Sequence, residues 1–180
     1  MYAVAMIDPP WPKKKGGLRK LRPNQDRDLA YCTASVPEIF ALLDAEVFPQ
    51  IAPNGAVFMW LVDEFLHDGE QQMAQRGYKR HARIVWDKEN GVAPAFTVRY
   101  TTEYLVWFYR SPMLPIAREM RGKFTTVLRE RGRQHSRKPE AGYRLVEALY
   151  PDVQRYDVFS REPRAGWDQF GDQPDHFKEG

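Results

Sequence analysis

Short runs of hydrophobic residues recur along the chain and alternate with segments whose hydrophobic side chains follow helical spacing. Val, Ile, Thr and aromatic residues dominate the runs, which is typical of strands. The predicted strands are Ala3–Ile7, Ala56–Leu61, Ala82–Trp86, Thr102–Tyr109, Phe124–Val127 and Gln154–Phe159. The predicted helices are Pro37–Phe48, Glu64–Arg76 and Pro139–Leu149. This alternation predicts an α/β protein whose sheet is flanked by helices and binds ligands at the carboxyl ends of its strands.

The first predicted strand ends in Asp8-Pro9-Pro10-Trp11, an unusual exit for a buried strand. Strand interiors exclude proline because it lacks the N–H that a sheet needs. The prolines stiffen the exit and offer carbonyl acceptors, Asp8 adds a charged acceptor, and Trp11 offers a flat face for stacking. This set suits a planar amine such as the exocyclic amino group of adenine or cytosine. Taken alone, the tetrapeptide fits an ordinary Pro-Pro turn with a surface Trp equally well.

Composition narrows the class of protein. With 180 residues, 43% of them hydrophobic, the chain is long enough to bury a core, and we expect one domain over residues 1–180. The hydrophobic run Ala56–Val62 is too short to cross a bilayer, and the N-terminus lacks a secretory signal, so we expect a cytoplasmic protein with no membrane partner. A single cysteine, Cys32, and four widely spaced histidines predict neither a disulfide nor a metal site.

Basic residues concentrate in two segments. Residues 13–27 hold seven of them and residues 118–138 hold eight, so each segment is strongly cationic and the rest of the chain is acidic. Binding to a polyanion requires such a distribution, because contacts to phosphates release counterions. We therefore expect nucleic acid as the partner, with two solvated loops as the alternative. The candidate nucleic-acid-binding residues are Lys13, Lys14, Lys15, Arg19, Lys20, Arg129, Arg131 and Arg133.

Four segments match, in order, the motifs of one family. They are Asp8–Trp11, Thr102–Leu105, His135–Glu140 and Phe159–Gly171. On these segments the chain resembles the MT-A70-like family of S-adenosylmethionine-dependent adenine N6-methyltransferases, over nearly its whole length. The resemblance implies a permuted Rossmann-like class I methyltransferase fold with a mixed, mostly parallel sheet, in which the catalytic tetrapeptide precedes the cofactor-binding segments. The absence of a Gly-rich G-x-G turn from the sequence agrees with that order.

The resemblance also implies the site residues. The catalytic residues are Asp8, Pro9, Pro10 and Trp11, with Asp8 and the Pro9 carbonyl accepting hydrogen bonds from the adenine amino group and Trp11 stacking on the base. The cofactor-binding residues are Asp8, Lys138, Arg161, Arg164, Asp172 and Gln173. Lys138 is expected to hold the methionyl carboxylate of S-adenosylmethionine. Arg161 and the 172–173 pair are expected near its ribose hydroxyls, although Asp172 stands where the family usually has asparagine.

Several of these residues could instead have a structural role or simply lie in solvent. Lys138 could be a solvated lysine of a basic loop, and Arg161 and Arg164 could bind phosphate or pair with nearby carboxylates. Glu103 either orients a basic side chain, binds the cofactor or forms a structural pair. The chain begins almost at its first strand, so we expect the cofactor's adenine to be held by other segments or more weakly than in larger relatives.

The expected function is methyl transfer to adenine N6 in nucleic acid, with DNA favoured over RNA by analogy with compact bacterial or phage enzymes. That analogy also implies the cytoplasm of a bacterial or phage-infected cell. RNA adenine methylation, cytosine N4 methylation and a catalytically silent nucleic-acid-binding subunit are the alternatives. Trp11 favours adenine, and the intact Asp8 and Lys138 argue against silence. Both a homodimer and a heterodimer are compatible with the sequence.

Overall fold

The computed structural model describes residues 1–12, 33–89, 98, 100–134, 137–172 and 176–177. Within them lie the strands β1 Tyr2–Ile7, β2 Ile51–Leu61, β3 Lys79–Asp87, β4 Thr102–Tyr109, β5 Val127–Arg129, β6 Arg155–Val158 and β7 Trp167–Phe170. They form one sheet in the order β5-β3-β4-β2-β1-β6-β7. Strand β4 is antiparallel to both of its neighbours and every other pair is parallel, so the expected mixed, mostly parallel α/β sheet is confirmed.

Helices cover both faces of this sheet. The α-helices among the described residues are α1 Val36–Leu42, α2 Leu66–Gln75 and α3 Glu140–Leu149. Short π-helical or 3₁₀ turns are Leu43–Val47, Phe48–Gln50, Asp63–Phe65 and Arg118–Met120. Ser35 begins α1 in a capping box, because its hydroxyl accepts from the Glu38 N–H while its own N–H donates to the Glu38 carboxylate at 2.8 Å. The predicted helix Pro37–Phe48 is thus continuous in space, but its second half is wound as a π-helix and a 3₁₀ turn.

Alternation along the central strands divides the core into two layers. Ala5 and Ile7 of β1 pack in the layer that contains the α1 residues. Val4 and Met6 point to the opposite face, which α3 covers. In α3, Gly142 permits close contact with the sheet, since a Cβ there would lie 2.9 Å from Cζ2 of Trp60. The α3 face is also the one on which the charged side chains of the candidate site are found.

The edges of the sheet differ from the sequence prediction. The strand predicted at Phe124–Val127 is instead β5, Val127–Arg129, and the sequence pattern does not predict β7 as a strand. Both are short edge strands that pair on one side, so their hydrophobic pattern is weak. The described part of the chain contains no helix that is long and apolar enough to span a membrane.

The topology brings four chain segments to one edge of the sheet, which here means the line where strand ends meet and not an edge strand. Strand β1 is parallel to β2 and β6, and β3 runs in the same direction as β2 because both are antiparallel to β4. The carboxyl ends of β1, β3 and β6 therefore lie there, together with the amino end of β4. Asp8 follows β1, Lys88 follows β3, Glu103 lies near the start of β4, and Arg161 comes shortly after β6.

Candidate active site

Asp8 lies directly beyond β1 and faces the α3 layer. Its backbone N–H donates to the carbonyl of Val158 at 3.0 Å, which continues the pairing of β1 with β6 for one more residue. The strand alternation that turns Met6 towards α3 turns the Asp8 side chain the same way. That side chain is 20% exposed, so the carboxylate is accessible at the sheet edge but largely removed from water.

Lys138 is the direct partner of Asp8. It lies in the segment that enters α3, and its Nζ is 3.0 Å from Asp8 Oδ1 and 3.0 Å from Glu103 Oε2. The ammonium also lies 5.6 Å from the centre of the Trp60 ring, a favourable cation–π geometry. Lys138 is therefore not a solvated lysine of a basic loop, since only 12% of its side chain is exposed.

Glu103 extends the ion pair into a row of four charged side chains in contact, called the charged chain below. Its Oε2 contacts Lys138, and its Oε1 accepts from Lys88 Nζ at 2.6 Å. The order is Asp8, Lys138, Glu103, Lys88, with alternating charge and a net charge of zero. Glu103 thus orients basic side chains, which is one of the three roles that its sequence position allowed.

Burial and neighbouring charges shift the pKa values of Asp8, Glu103 and Lys138 in different directions. Burial raises the pKa of Asp8 to about 6, because the attraction of Lys138 and Arg161 is too weak to offset lost hydration. Burial also acts to raise the pKa of Glu103, but Lys138 and Lys88 lower it to about 2. Burial lowers the pKa of Lys138, but Asp8 and Glu103 raise it above its ordinary value. Of Asp8, Glu103 and Lys138, Asp8 therefore changes charge nearest neutral pH.

The other residues of the tetrapeptide anchor it to the protein. The Pro9 carbonyl accepts the Trp11 N–H at 2.8 Å, and the Pro10 carbonyl accepts the Ala34 N–H at 3.0 Å. Because a carbonyl oxygen has two lone pairs, Pro9 retains capacity for one further donor.

Trp11 lies mostly in the core. It is only 9% exposed, its ring stacks on Phe65 at 5.4 Å, and it also contacts Phe40. Its Nε1–H donates to the Trp60 carbonyl at 3.0 Å. Phe65 thus covers one face of the indole, and stacking of Trp11 on a base, which needs the other face, stays a prediction. The position after a strand end suggested exposure, but the turn returns the indole to the core.

Arg164 joins the segment after β6 to α3. Its guanidinium contacts both carboxylate oxygens of Glu140 at 2.5 and 2.8 Å, lies 3.8 Å from Glu162, and has its Cζ 3.7 Å from the centre of the Tyr143 ring. Pairing with a carboxylate, which the sequence left as an alternative with Glu162 or Asp168, is thus present, but chiefly with Glu140. Binding of the cofactor by Arg164 stays a prediction.

The remaining predicted cofactor residues lie in the C-terminal part of the chain. Arg161 is near enough to Asp8 for its charge to lower the Asp8 pKa, and its guanidinium stacks on Phe177 with Cζ 4.8 Å from the ring centre. Asp172 is exposed beyond β7. Gln173 lies outside the described residues.

Asp157 is a buried carboxyl group that the sequence interpretation missed. It lies in β6 beside Met6, is 1% exposed, and accepts from the Tyr143 hydroxyl at 3.4 Å. Its Oδ2 has no hydrogen-bond partner within the described ranges. Burial raises its pKa to about 7. The available signal was an acidic residue within the hydrophobic run that precedes Ser160.

The predicted nucleic-acid-binding residues fall into three groups. Arg129 and Arg131 are exposed. Arg133 donates to the Lys138 carbonyl at 2.8 Å and to Glu140 at 3.0 Å, so it stabilises the segment that presents Lys138. Outside the described residues lie Lys13, Lys14, Lys15, Arg19 and Lys20.

The segment from β5 to α3 is held by Glu130. Its carboxylate oxygens accept the backbone N–H groups of Glu140 and Ala141, each at 2.8 Å, and so cap the first turn of α3. A carboxylate at this position also interacts favourably with the helix dipole. This cap fixes the start of α3 two residues beyond Lys138, which helps to place the Lys138 ammonium against Asp8.

The cluster can bind both anionic and amino groups. Lys138 has three N–H donors, of which two are directed at Asp8 and Glu103, so one remains for an anionic ligand. Arg161 adds a second positive charge at the same edge, whereas Asp8 and the Pro9 carbonyl provide acceptors for N–H groups. An amino acid carboxylate and an aromatic amine are therefore both compatible with the side chains present.

Comparison with known proteins agrees with this chemistry. A model of the MT-A70 family matches residues 2–173. The chain is 25% identical over 177 residues to an Arabidopsis thaliana N(6)-adenosine-methyltransferase MT-A70-like protein, covering 96% of this chain and 24% of that protein. It is 23% identical to the human N(6)-adenosine-methyltransferase catalytic subunit METTL3 over 97% of this chain and 28% of the human protein. It is also 25% identical to the type II methyltransferase M.MunI of Mycoplasma sp, over 94% of this chain and 76% of that protein.

The chain thus spans about a quarter of the length of the plant and human relatives. The match to the family nevertheless extends from β1 to just beyond β7, so it includes every element that contributes to the charged cluster. The chain belongs to the MT-A70 family, and its cofactor is S-adenosylmethionine.

Proposed function

We propose that this protein transfers a methyl group from S-adenosylmethionine to N6 of adenine in nucleic acid, and that the polymer is DNA. The observation that carries the proposal is the contact of the Asp8 carboxylate with Lys138, 3.0 Å apart, at the sheet edge where Arg161 also lies. This arrangement places an acceptor for an amino group beside two cations that suit the carboxylate of an amino acid.

Lys138 and Arg161 are the residues that would hold the anionic end of the cofactor, with Asp172 and Gln173 near its hydroxyl groups. The cofactor, when bound, supplies an electrophilic methyl group on a sulfonium. Asp157 contributes a further buried carboxyl on the same face of the sheet, within electrostatic reach of Asp8.

Asp8 addresses the main difficulty of the reaction. The lone pair of adenine N6 is delocalised into the ring, so the nitrogen is a poor nucleophile. A hydrogen bond from N6–H to an Asp8 Oδ atom, with a second to the Pro9 carbonyl, favours a more tetrahedral nitrogen and directs its lone pair away from these acceptors. Attack of this lone pair on the methyl carbon would break its bond to the sulfonium and leave a neutral thioether, and the proton that N6 then loses would pass to the Asp8 carboxylate and on to solvent. Alignment and the exclusion of water then account for most of the catalysis.

DNA is favoured by the match to a type II methyltransferase. The match covers 76% of that Mycoplasma enzyme, whereas it covers 28% of the human catalytic subunit. A target adenine within a duplex has to leave the base stack, which costs a few kcal/mol that contacts to phosphates must offset. The exposed Arg129 and Arg131 are candidates for such contacts. We place the protein in the cytoplasm of a bacterial or phage-infected cell.

The proposal is tested by incorporation of labelled methyl groups into adenine-containing DNA and RNA. Replacing Asp8 with Asn keeps the shape of the side chain but puts a donor where the amino group needs an acceptor. We expect Asp8→Asn to reduce methyl transfer by about 100-fold or more. Cofactor binding, measured by calorimetry, is expected to remain detectable, because Lys138 and Arg161 are intact.

Asp152→Asn is the matched control, because Asp152 is exposed in the turn after α3, away from the cluster. We expect this variant to keep wild-type turnover. Normal turnover of Asp8→Asn would remove Asp8 from the mechanism. Methylation of cytosine alone, or of RNA in preference to DNA, would overturn the proposed base or the proposed polymer, respectively.

A further inference from the structure

Lys88 lies at the end of the charged chain opposite Asp8 and takes no direct part in methyl transfer. It is the first residue after β3, and its Nζ contacts Glu103 Oε1 at 2.6 Å. Its backbone is fixed on both sides, because its N–H donates to the Thr101 carbonyl at 3.0 Å and its carbonyl accepts the Gly132 N–H at 2.9 Å. With 24% of its side chain exposed, Lys88 forms a partly buried ion pair on a backbone that these hydrogen bonds hold in place.

Lys88 and Lys138 share the carboxylate of Glu103. Each ammonium contacts a different carboxylate oxygen of Glu103, and Lys138 is at the same distance, 3.0 Å, from Glu103 and from Asp8. If Lys88 lost its charge, Lys138 alone would neutralise Glu103. The ammonium would then be drawn towards Glu103 and away from Asp8, because charge interactions are strong where water is largely excluded.

We propose that Lys88 is a positioning residue of the methyl-transfer site: by occupying one oxygen of Glu103 it leaves Lys138 free to hold Asp8 as an ionised acceptor. This inference rests on the proposed function, in which Asp8 accepts a hydrogen bond from the amino group of the base. Lys88 contacts neither Asp8 nor Lys138 within hydrogen-bond distance in the described structure, so its influence passes through Glu103.

Several charged or titratable groups face Asp8 and influence the Asp8 pKa that a pH titration measures. Lys138 approaches from the segment before α3, Glu103 from β4 and Arg161 from the segment after β6. Asp157 of β6 and Tyr143 of α3 also interact with Asp8 electrostatically. Of these groups, only Lys138 and Glu103 are coupled to Lys88 through a direct ion-pair chain among the described residues. A change at Lys88 is therefore expected to reach Asp8 through those two.

The first experiment measures the ionisation of Asp8 without any need for activity. The chain is labelled with ¹³C at the Asp carboxyl groups, the Asp8 resonance is assigned from its loss in Asp8→Asn, and its pKa is followed by NMR titration. We expect Lys88→Met to raise the Asp8 pKa, Lys88→Arg to restore it, and Lys123→Met, which removes an exposed charge from another segment, to leave it unchanged.

Glu103→Gln is expected to shift the Asp8 pKa in the direction opposite to Lys88→Met. Without a negative charge at Glu103, Lys138 has Asp8 as its remaining ion-pair partner in this cluster, so the Asp8 pKa is expected to fall. In the double variant Lys88→Met/Glu103→Gln, the effect of Lys88→Met is expected to vanish, because the residue through which it acts is neutral. An equal shift from Lys88→Met in the presence and absence of the Glu103 charge would overturn the proposal.

The second experiment follows kcat against pH at saturating cofactor. A rise of one pKa unit changes the ratio of ionised to protonated Asp8 tenfold. We expect Lys88→Met to lower kcat at pH 6 by about threefold to tenfold while kcat at pH 8 stays within about twofold of wild type. A uniform loss at all pH values, with weaker cofactor binding, would mean a purely structural role. If the wild-type chain shows no methyl transfer, the proposed function fails, but the NMR titration still decides the role of Lys88.

Discussion

The Lys138 ammonium lies 3.0 Å from the Asp8 carboxylate, although the first residue precedes α3 and the second follows β1. The contact joins two motifs that are distant in sequence at one edge of the sheet. Because the same ammonium is also 3.0 Å from Glu103, it is shared between the two carboxylates. Burial raises the pKa of Asp8 to about 6, and the shared Lys138 lowers it too little to offset this, whereas Glu103, which has a second lysine, has a pKa of about 2.

Methyl transfer is expected to fall as the pH drops through about 6. The pKa of Asp8 is raised, so its carboxylate predominates above pH 6 and the neutral acid predominates below it. The neutral acid carries a proton on one of the oxygens that the amino group needs as acceptors. We expect kcat at saturating cofactor to decline about tenfold per pH unit well below this value. A profile that is flat down to pH 5 would contradict the role of Asp8.

Asp157 is expected to make the protein more stable in mild acid than in mild base. Its pKa is raised from the ordinary 3.8 to about 7, so folding favours the protonated form. Its stabilising contribution is complete below pH 3.8 and is lost as the pH rises through about 7. Urea unfolding at pH 5 and pH 8 measures the difference. Asp157→Asn is expected to reduce this difference, and Asp152→Asn to leave it unchanged; equal pH dependence in both variants would refute the assignment.

Trp11 is expected to contribute to stability through packing. Trp11→Ala removes a buried ring from contact with Phe65 and Phe40, at a cost of about 3–5 kcal/mol in the free energy of unfolding. Trp11→Phe keeps an aromatic ring but loses the hydrogen bond to the Trp60 carbonyl, which costs about 1 kcal/mol on that account. Denaturant unfolding measures both variants. Unchanged stability of Trp11→Ala with lost binding of adenine-containing DNA would instead indicate a stacking role.

The central part of the fold could be predicted from local sequence. Strand β4 has the predicted bounds Thr102–Tyr109, because most of its residues are aromatic or β-branched, as is typical of a strand between two neighbours. The edge strands β5 and β7 could not be bounded in this way, since a strand paired on one side tolerates polar residues. Edge strands of this length carry too few residues to show an alternating pattern.

The site was predictable only where a motif carried the information. The order of motifs led to Asp8, Lys138 and Arg161, which the structure brings together. Lys88 and Asp157 belong to no motif used in the prediction. Their importance depends on pairing between strands that are distant in sequence, such as the register of Trp86 with Glu103, and local pattern does not specify that register.

Charge reversal at the exposed arginines is expected to weaken nucleic-acid binding and its dependence on salt. Arg129 is paired in register with Asp87 at the carboxyl end of β3, so it lies on the edge of the sheet that bears Asp8, and Arg131 follows it. Each of Arg129→Glu and Arg131→Glu is expected to lower affinity for DNA and to reduce the slope of log K against log salt by about 1 if it removes one phosphate contact. Lys79→Glu makes the same change of charge at the other end of β3 and is expected to leave the slope unchanged. Equal effects at all three positions would mean that only net charge matters, and that this edge is not where the polymer binds.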